Sequence, residues 1–459
     1  MSEASPKSDL QRVIGFWGGL ALIIGITIGG GIFRKPYTLA RDVGDPTTIL
    51  ALWVVFGVVS ICGALALAEL SSMFPRTGGV YVFLRKAYGD SAAFVFGWLY
   101  LLVATPATIG ALSSFFGELL LGLMGQPFGA EHPFRVPMVA SMTIVVLTLI
   151  NFLGARLGSA VQTFFTVVKV GALVLLMAAS FTLPGGTFSH LASTGEARNI
   201  GSGVASVIWA YDGWIAVSMV AGEVKAPEKL MRRIIIIGML AIVVLYVGAN
   251  IGYFYAMSPA AMAQEPGGVP QKIMSLSIGP FGATLIAGFI MCSVFGALNG
   301  NILAKPRVAH ALARDGLTFS FLGRVHPRFG TPHGPLFIQG VVALLLVAVT
   351  RGDFDALSNF FVVVEWSALL FAVGAVLVLR RTEPDLARPF RTPLYPIVPL
   401  LFLIGSSLGL AAILWGEIVR DEPNYLPLIG LVISAAGFPV FWLWRRMAAA
   451  PTPAPEFRP

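Results

Sequence analysis

Glycines and charged residues occupy positions in this 459-residue sequence where the neighbouring residues are almost entirely apolar. The segment at 25–33 reads Gly-Ile-Thr-Ile-Gly-Gly-Gly-Ile-Phe. Asp212 stands beside Gly213, and Lys169 and Glu365 are single charges in other apolar stretches. A charged side chain at the centre of a membrane helix costs about 2.5–3.5 kcal/mol on insertion scales, so each must face protein, water or a ligand.

The glycine triplet at 29–31 favours an interruption of its helix. Each glycine lowers helix stability by about 1 kcal/mol relative to alanine and leaves the backbone open to a ligand. Small residues also permit close helix packing in membranes, usually as spaced pairs. An adjacent triplet is more typical of unwinding, and the Asp212-Gly213 pair indicates a second break.

Two breaks define what such a site can bind. N–H groups freed at the start of a half-helix attract an anion, while carbonyls freed at the end of the preceding half-helix attract a cation. A zwitterion with adjacent carboxylate and ammonium groups satisfies both, and an α-amino acid is the commonest small molecule of that kind. We therefore expect ligand contacts from Thr27, Ile28, Gly29, Gly30, Gly31, Trp209, Ala210, Asp212, Gly213 and Glu365.

The elements that position these residues are membrane-spanning helices. Charged residues make up 12% of the chain and hydrophobic residues 56%, whereas about 25% charged residues is usual for soluble proteins. Backbone groups in lipid must be satisfied within each apolar stretch, which requires helices. The sequence predicts an all-α polytopic membrane protein with twelve transmembrane helices, at 13–34, 47–70, 92–123, 137–154, 160–183, 200–222, 233–257, 281–304, 334–350, 354–379, 394–418 and 427–446.

The two interrupted spans lie five spans apart, which is the pattern of an inverted-repeat architecture. We therefore expect residues 13–183 to form the first five-helix repeat and 200–379 the second, with two further spans at 394–446. Most of the 31 Lys and Arg residues fall in loops on the side of the N-terminus. The positive-inside rule therefore predicts a plasma-membrane protein (inner membrane in a Gram-negative cell) with cytoplasmic tails at 1–12 and 447–459.

Several functional classes are disfavoured by what the sequence lacks. It has no Walker motif, dinucleotide fingerprint or His/Cys cluster, so we expect no cofactor, no metal site and no enzyme activity. The net charge of +8 marks orientation in the bilayer rather than a nucleic-acid partner. Cys62 and Cys292 both lie in spans, so no disulfide framework is implied.

These motifs resemble the amino acid–polyamine–organocation superfamily, and within it a prokaryotic-type member of the L-type amino acid transporter family. The family's Gly-Ser-Gly-Ile-Phe motif appears at 29–33 without its serine. Further matches are Pro-Arg-Thr-Gly-Gly-Val-Tyr at 75–81, Gly-Glu-Val-Lys-Ala-Pro at 222–227 and Asn-Gly-Asn at 299–301 followed by Arg307. The resemblance implies a 5+5 inverted-repeat fold with broken helices 1 and 6, and amino acid transport.

The resemblance also implies roles for individual residues. Trp209, otherwise a core tryptophan, matches an aromatic gate over the substrate. Lys169 matches the place of a sodium ion in sodium-coupled relatives, the alternative being a lysine that snorkels to the interface. Asp212 could bind a substrate ammonium or cap the broken helix. Glu365 matches a position near the substrate, where it could pair, titrate or meet the substrate side chain.

Three residues receive structural roles. Glu69 and Glu223, near helix ends, are expected to make gate or loop contacts, and Pro106 is expected to kink the third span.

The sequence thus favours a sodium-independent secondary transporter of L-α-amino acids with small to medium neutral side chains, exchanging them by alternating access. The alternative is a proton-coupled amino acid or polyamine transporter or antiporter, with Glu365, Asp212 or Lys169 titrating. Loop 124–136 has no cysteine. We therefore expect a stand-alone protein in the lipid bilayer without a disulfide-linked heavy chain.

Overall fold

Helices account for most of the chain in the structure, which is a computed structural model. It describes residues 12–447 apart from 13, 77, 127, 128, 130, 154, 220, 267 and 420–424, and only the backbone of 155–164. Of the predicted tails at 1–12 and 447–459, residues 1–11 and 448–459 lie outside the described residues.

The helices of the first half are α1 (Phe16–Thr27), α2 (Gly31–Asp42), α3 (Pro46–Met73), α4 (Val80–Tyr88), α5 (Asp90–Leu99), α6 (Thr105–Leu123), α7 (Arg135–Leu153) and α8 (Ala155–Phe181). Those of the second half are α9 (Ile200–Tyr211), α10 (Ala216–Met219), α11 (Pro227–Ala256), α12 (Pro259–Met262), α13 (Val269–Ile278), α14 (Pro280–Ala304), α15 (Pro306–Arg314), α16 (His333–Thr350), α17 (Phe354–Thr382), α18 (Ile397–Ile418) and α19 (Leu426–Met447).

Ten helical segments among the described residues are long and apolar enough to cross a membrane. They coincide with ten of the predicted spans. The other two predicted spans, 160–183 and 200–222, correspond to α8 and to the pair α9 and α10. The protein is therefore an all-helical, multi-pass membrane protein.

The outer helices carry their apolar side chains outwards. Met138 and Met142 on α7 and Val432 and Trp442 on α19 are all more than half exposed. A large apolar surface of this kind requires lipid around it. The interrupted helices lie inside: α1 packs against α8, α11 and α14, and α2 packs against α9.

Two predicted spans differ from the structure in detail. The predicted eighth span ended at residue 304, but the helical path continues through Lys305 (φ −67°, ψ −32°) into α15, so Lys305 is inside the protein and 3% exposed. In the third span a π-helical turn, Tyr100–Ala104, joins α5 to α6 immediately before Pro106. Because proline has no N–H, the regular bonding pattern is interrupted at this point.

Candidate functional site

The first break lies between α1 and α2, where Ile28, Gly29 and Gly30 leave the helical path. The N–H groups of Gly30, Gly31 and Ile32 have no backbone acceptor among the described residues. These amides stand at the start of α2, where the helix dipole also favours negative charge. The segment can therefore offer a small group of donors to an anion.

The second break follows Tyr211, the last residue of α9. Asp212 takes an extended conformation (φ −65°, ψ 156°), and Gly213 has φ +113°, which favours glycine. Only one further helical turn, α10, is seen before residue 220. One carboxylate oxygen of Asp212, Oδ1, is buried and has no hydrogen-bond partner among the described residues, so it remains available to a ligand.

The two breaks touch each other. A methyl group at Gly31 would lie 2.6 Å from Cα of Ala210, and one at Gly213 would lie 3.0 Å from the backbone nitrogen of Thr27. Both contacts meet backbone atoms, which cannot move aside as a flexible side chain can. The absence of side chains at these two glycines therefore brings the breaks together.

Lys169 lies directly against the first break. Its side chain is fully buried, and Nζ donates to the carbonyls of Gly25 at 2.6 Å and Ser293 at 3.0 Å. A surface-seeking lysine would extend towards water, so the snorkelling alternative does not describe this side chain. Lys169 thus binds one carbonyl in the last turn of α1 and one carbonyl of α14, and it links α1, α8 and α14.

Two hydroxyl groups bind two further carbonyls at the first break. Tyr246 on α11 donates to the Thr27 carbonyl at 2.8 Å, and Ser293 Oγ donates to the Ile28 carbonyl at 3.1 Å. Sequence reasoning missed both residues. Hydroxyls are common within membrane helices, where many bond to their own helix backbone, and neither residue lies in a distinctive motif.

A small cavity lies where the breaks meet. Its walls are formed by Ile26, Thr27, Gly29, Gly30, Gly31, Thr108, Leu112, Trp209, Asp212 and Asn301. Six of these were predicted from the sequence as ligand contacts. Of the four additional wall residues, Ile26 belongs to α1 and the others come from α6 and α14. Polar Thr108 and Asn301 give that side of the cavity hydrogen-bonding groups.

The other predicted contacts lie just behind the wall. Ala210 packs against Gly31, Gly213 lies against Thr27, and Ile28 is fully buried. Glu365 is also fully buried and is not among the residues of the cavity wall. These four positions stay predictions as direct ligand contacts.

Trp209 closes one side of the cavity through aromatic contacts. Its ring meets those of Phe354 and Phe361 edge to face, with centroids 5.6 Å and 5.2 Å apart. Aromatic pairs of this geometry contribute about 0.5–1.5 kcal/mol each beyond their buried area. Trp209 is therefore held against α17.

Ion pairs link helices on either side of the cavity. Lys35 on α2 meets Asp355 at 2.6 Å, and Glu223 meets Arg307 at 2.8 Å. Glu69 accepts hydrogen bonds from Nε and Nη2 of Arg380, at 2.9 Å and 2.7 Å. Glu69 thus links α3 to α17, and Glu223 links the segment after α10 to α15.

Backbone hydrogen bonds of Ile14, just before α1, form a further contact between the two broken spans. Ile14 donates to the Glu223 carbonyl at 2.9 Å, and its carbonyl accepts from Lys225 at 2.8 Å. Since these bonds tie the start of α1 to the segment after α10, the ends of the two broken spans are fixed to each other.

The chain belongs to the amino acid permease family, whose model matches residues 14–435, and so to the amino acid–polyamine–organocation superfamily. Within it the chain is of the L-type amino acid transporter kind. It is a membrane-embedded amino acid transporter rather than an enzyme.

Relatives of similar length cover almost all of the chain. The serine/threonine exchanger SteT of Bacillus subtilis is 30% identical over 448 residues, which are 96% of this chain and 99% of that protein. The b(0,+)-type amino acid transporter 1 of Mus musculus is 28% identical over 95% of this chain and 88% of its own. The cystine/glutamate transporter of Homo sapiens is 28% identical over 95% and 86%, respectively.

Proposed function

We propose that the protein exchanges L-α-amino acids with small to medium neutral side chains across the membrane by alternating access, without sodium. The observation that carries this proposal is the position of Lys169 Nζ, 2.6 Å and 3.0 Å from the Gly25 and Ser293 carbonyls. An ammonium group fixed on these oxygens satisfies the acceptors that a coupling sodium ion would need. No dissociable cation is then required at this place.

Each of the two breaks recognises a different charged group of the substrate. The N–H groups of Gly30, Gly31 and Ile32 bind its carboxylate. Asp212 and the carbonyls at the end of α9 bind its ammonium. Thr108 and Asn301 on the cavity wall give the side-chain end a polar surface, which suits small hydroxyl-bearing side chains.

The architecture that we propose has twelve spans in two inverted five-span repeats, 13–183 and 200–379, followed by two spans at 394–446. It is supported by the position of the breaks, which fall in the first span of each repeat. The distribution of basic residues supports cytoplasmic termini and a plasma-membrane location.

Alternating access requires the two ends of the cavity to open in turn. Trp209 and the Lys35–Asp355 pair close one end, and the Ile14 bonds with the Glu223–Arg307 pair close the other. Substrate binding between the breaks couples them, because it contacts both broken spans. An exchanger changes from one open side to the other only when a substrate is bound.

A second candidate is a proton-coupled amino acid or polyamine transporter. It is favoured by the carboxylates of Asp212 and Glu365, which lie in or beside the cavity. A proton-coupled carrier would move substrate without a counter-substrate. The two candidates therefore predict opposite dependence on internal amino acid.

Uptake of labelled L-serine into proteoliposomes tests these candidates. We expect uptake into vesicles loaded with L-serine or L-threonine, equal rates in sodium and choline media, and little uptake into empty vesicles. Uptake into empty vesicles driven by an acidic exterior would instead support the proton-coupled candidate. Thermal stabilisation measured across the twenty amino acids and the polyamines would define the substrate range.

We also propose that the protein works without a disulfide-linked heavy chain. Its two cysteines, Cys62 and Cys292, lie in α3 and α14, and the 124–136 loop has none. The expected result is an unshifted band on non-reducing gels of native membranes. A larger band that collapses on reduction would contradict the proposal.

A further inference from the structure

Four polar side chains from different helices meet beside the cavity. Tyr100, in the π-helical turn, donates a hydrogen bond to Glu365 Oε1. Lys305 Nζ lies 5.8 Å from the centre of the Tyr100 ring and 4.7 Å from that of Phe361, close enough for its charge to act on Glu365 and Asp212. Glu365 is fully buried and Lys305 is 3% exposed. Lys305 also donates to Thr108 Oγ1 on the cavity wall at 3.2 Å.

The charges in this cluster do not balance. Two carboxylates face one ammonium, so full ionisation would leave one negative charge in a region largely removed from water. An uncompensated buried charge is expensive, and groups in this situation are usually neutralised. The ammonium of Lys169 is directed at the Gly25 and Ser293 carbonyls rather than at either carboxylate. Without a bound substrate, one of the two carboxylates is therefore expected to carry a proton.

The geometry distinguishes the two carboxylates. Asp212 lines the cavity, where its buried Oδ1 can meet a ligand. Glu365 lies behind the wall, and its Oε2 has no hydrogen-bond partner among the described residues. A substrate group cannot reach Glu365 without rearrangement of the wall, whereas a proton can. Glu365 is thus the proton carrier of the pair.

We propose that Glu365 is a proton-binding site linked to substrate occupancy: it holds a proton when the cavity is empty and releases it when a substrate ammonium binds beside Asp212. In the empty site Lys305 compensates Asp212, and Glu365 is neutral. In the loaded site the substrate ammonium compensates Asp212. The O–H bond of Glu365 then breaks, its electron pair stays on the carboxylate opposite Lys305, and the proton passes to water. The charges of Asp212, Glu365, Lys305 and the substrate ammonium then sum to zero, as those of the three side chains do without substrate, and the substrate carboxylate is bound separately by the amides of the first break.

This inference rests on the proposed function, because it requires a substrate with an ammonium group. It differs from proton-coupled uptake. An exchanger that releases one substrate and binds another on the same side takes up and releases the proton on that side. No proton then crosses the membrane, and a pH gradient does not drive exchange.

Thermodynamic linkage between proton release and substrate binding gives the direction in which Kd changes with pH. Binding that releases a proton becomes tighter as pH rises, by up to about tenfold in Kd per pH unit. Calorimetry of L-serine binding to the purified full-length protein between pH 5.5 and 8.0 measures both Kd and the protons released, from buffers of different ionisation enthalpy. We expect Kd to fall with rising pH and up to one proton to be released per serine bound.

Variants separate Glu365 from other titrating groups. Glu365→Gln has no proton to release, so its Kd should stay at the weak acid-side value at every pH. Tyr100→Phe removes the donor to the ionised carboxylate and should move the transition to higher pH. Glu417→Gln is the matched control, since Glu417 is a buried glutamate on α18 that accepts from Asn359 at 3.0 Å. The Glu417→Gln variant should keep the wild-type dependence of Kd on pH.

The outcomes separate this inference from the proposed function. Serine binding that ignores pH, or that tightens on acidification, would overturn the inference and leave the transporter intact. The same conclusion would follow if Glu365→Gln kept the wild-type pH slope, because the proton would then belong to another group, such as Lys169. Absence of serine binding at every pH would overturn the proposed function and this inference with it.

Discussion

Lys169 and Asp45 illustrate how single polar residues stabilise this structure in opposite settings. Lys169 is fully buried and binds two carbonyls from different helices. Asp45 lies outside the spans, before α3, and receives hydrogen bonds from both sides of a loop contact. In each case the charge is stabilised by several short, oriented hydrogen bonds, which are stronger than neutral ones.

Replacing Lys169 by methionine should impair both folding and transport. The Gly25 and Ser293 carbonyls would lose a charged donor, at a cost of about 1.5–3 kcal/mol for each bond. We expect a lower melting temperature and at least a roughly tenfold loss of serine exchange. Lys272→Met is the control, because Lys272 pairs with Glu265 at a partly exposed site. Equal exchange by the Lys169→Met and wild-type proteins would contradict the assigned role.

Asp45 should make stability depend on pH. Burial alone raises the pKa of Asp45, but hydrogen bonds from Thr47, Thr48 and Ser193 outweigh it and hold the pKa well below its ordinary value. The stabilisation is present above the unfolded pKa of about 3.9 and is lost as pH falls towards the folded pKa.

Asp45→Asn keeps an N-cap acceptor for α3 but replaces the charged acceptor of these hydrogen bonds by a neutral one, so it should cost about 1–2 kcal/mol near pH 7. The difference in melting temperature between the two proteins should shrink as pH is lowered below 4. A constant difference from pH 7 to pH 3 would show that ionisation of Asp45 does not contribute.

At the scale of elements, the positions of the two helix breaks could be predicted from the sequence. Many of the residues that contact the breaks could not. Glycines at 29–31 and the Asp212-Gly213 pair violate what lipid favours in a helix, so they stand out in the sequence. Lys305 was missed because a lysine followed by proline is typical of a helix end. In the structure the helical path continues through it, and the lysine faces the protein interior.

The wall of the cavity was predicted only where the breaks themselves form it. Thr108, Leu112 and Asn301 come from regular helical stretches, where a single polar or apolar residue does not reveal which helix it faces. Their contribution depends on the packing of α6 and α14 against α1, which is a tertiary property. The sequence pattern carries little information about such packing.

Gly31→Ala tests the contact between the breaks. The new methyl would lie 2.6 Å from Cα of Ala210, and overpacking of this kind costs about 1–3 kcal/mol. We expect serine affinity to fall roughly tenfold or more, because separation of the breaks displaces the donors from the ammonium site. Gly288→Ala on α14 meets no atom within 4 Å and should leave affinity unchanged. Equal effects of the two variants would contradict the proposed geometry.

At the scale of the whole molecule, the broken spans, the cavity and the ion pairs form one connected system. The start of α1 bonds to the segment after α10, and α2 is tied to α17 through Lys35 and Asp355. A ligand that contacts both breaks can therefore bias the contacts at both ends. This coupling is what alternating access needs.

The most direct test of the account is competition for serine binding by analogues that lack one charge, in sodium-free buffer. We predict that L-threonine displaces labelled L-serine, that ethanolamine and 3-hydroxypropionate do not, and that added sodium changes nothing. Ethanolamine lacks the carboxylate that the amides of the first break should bind, and 3-hydroxypropionate lacks the ammonium. Displacement by either analogue at the threonine concentration, or a requirement for sodium, would contradict the account.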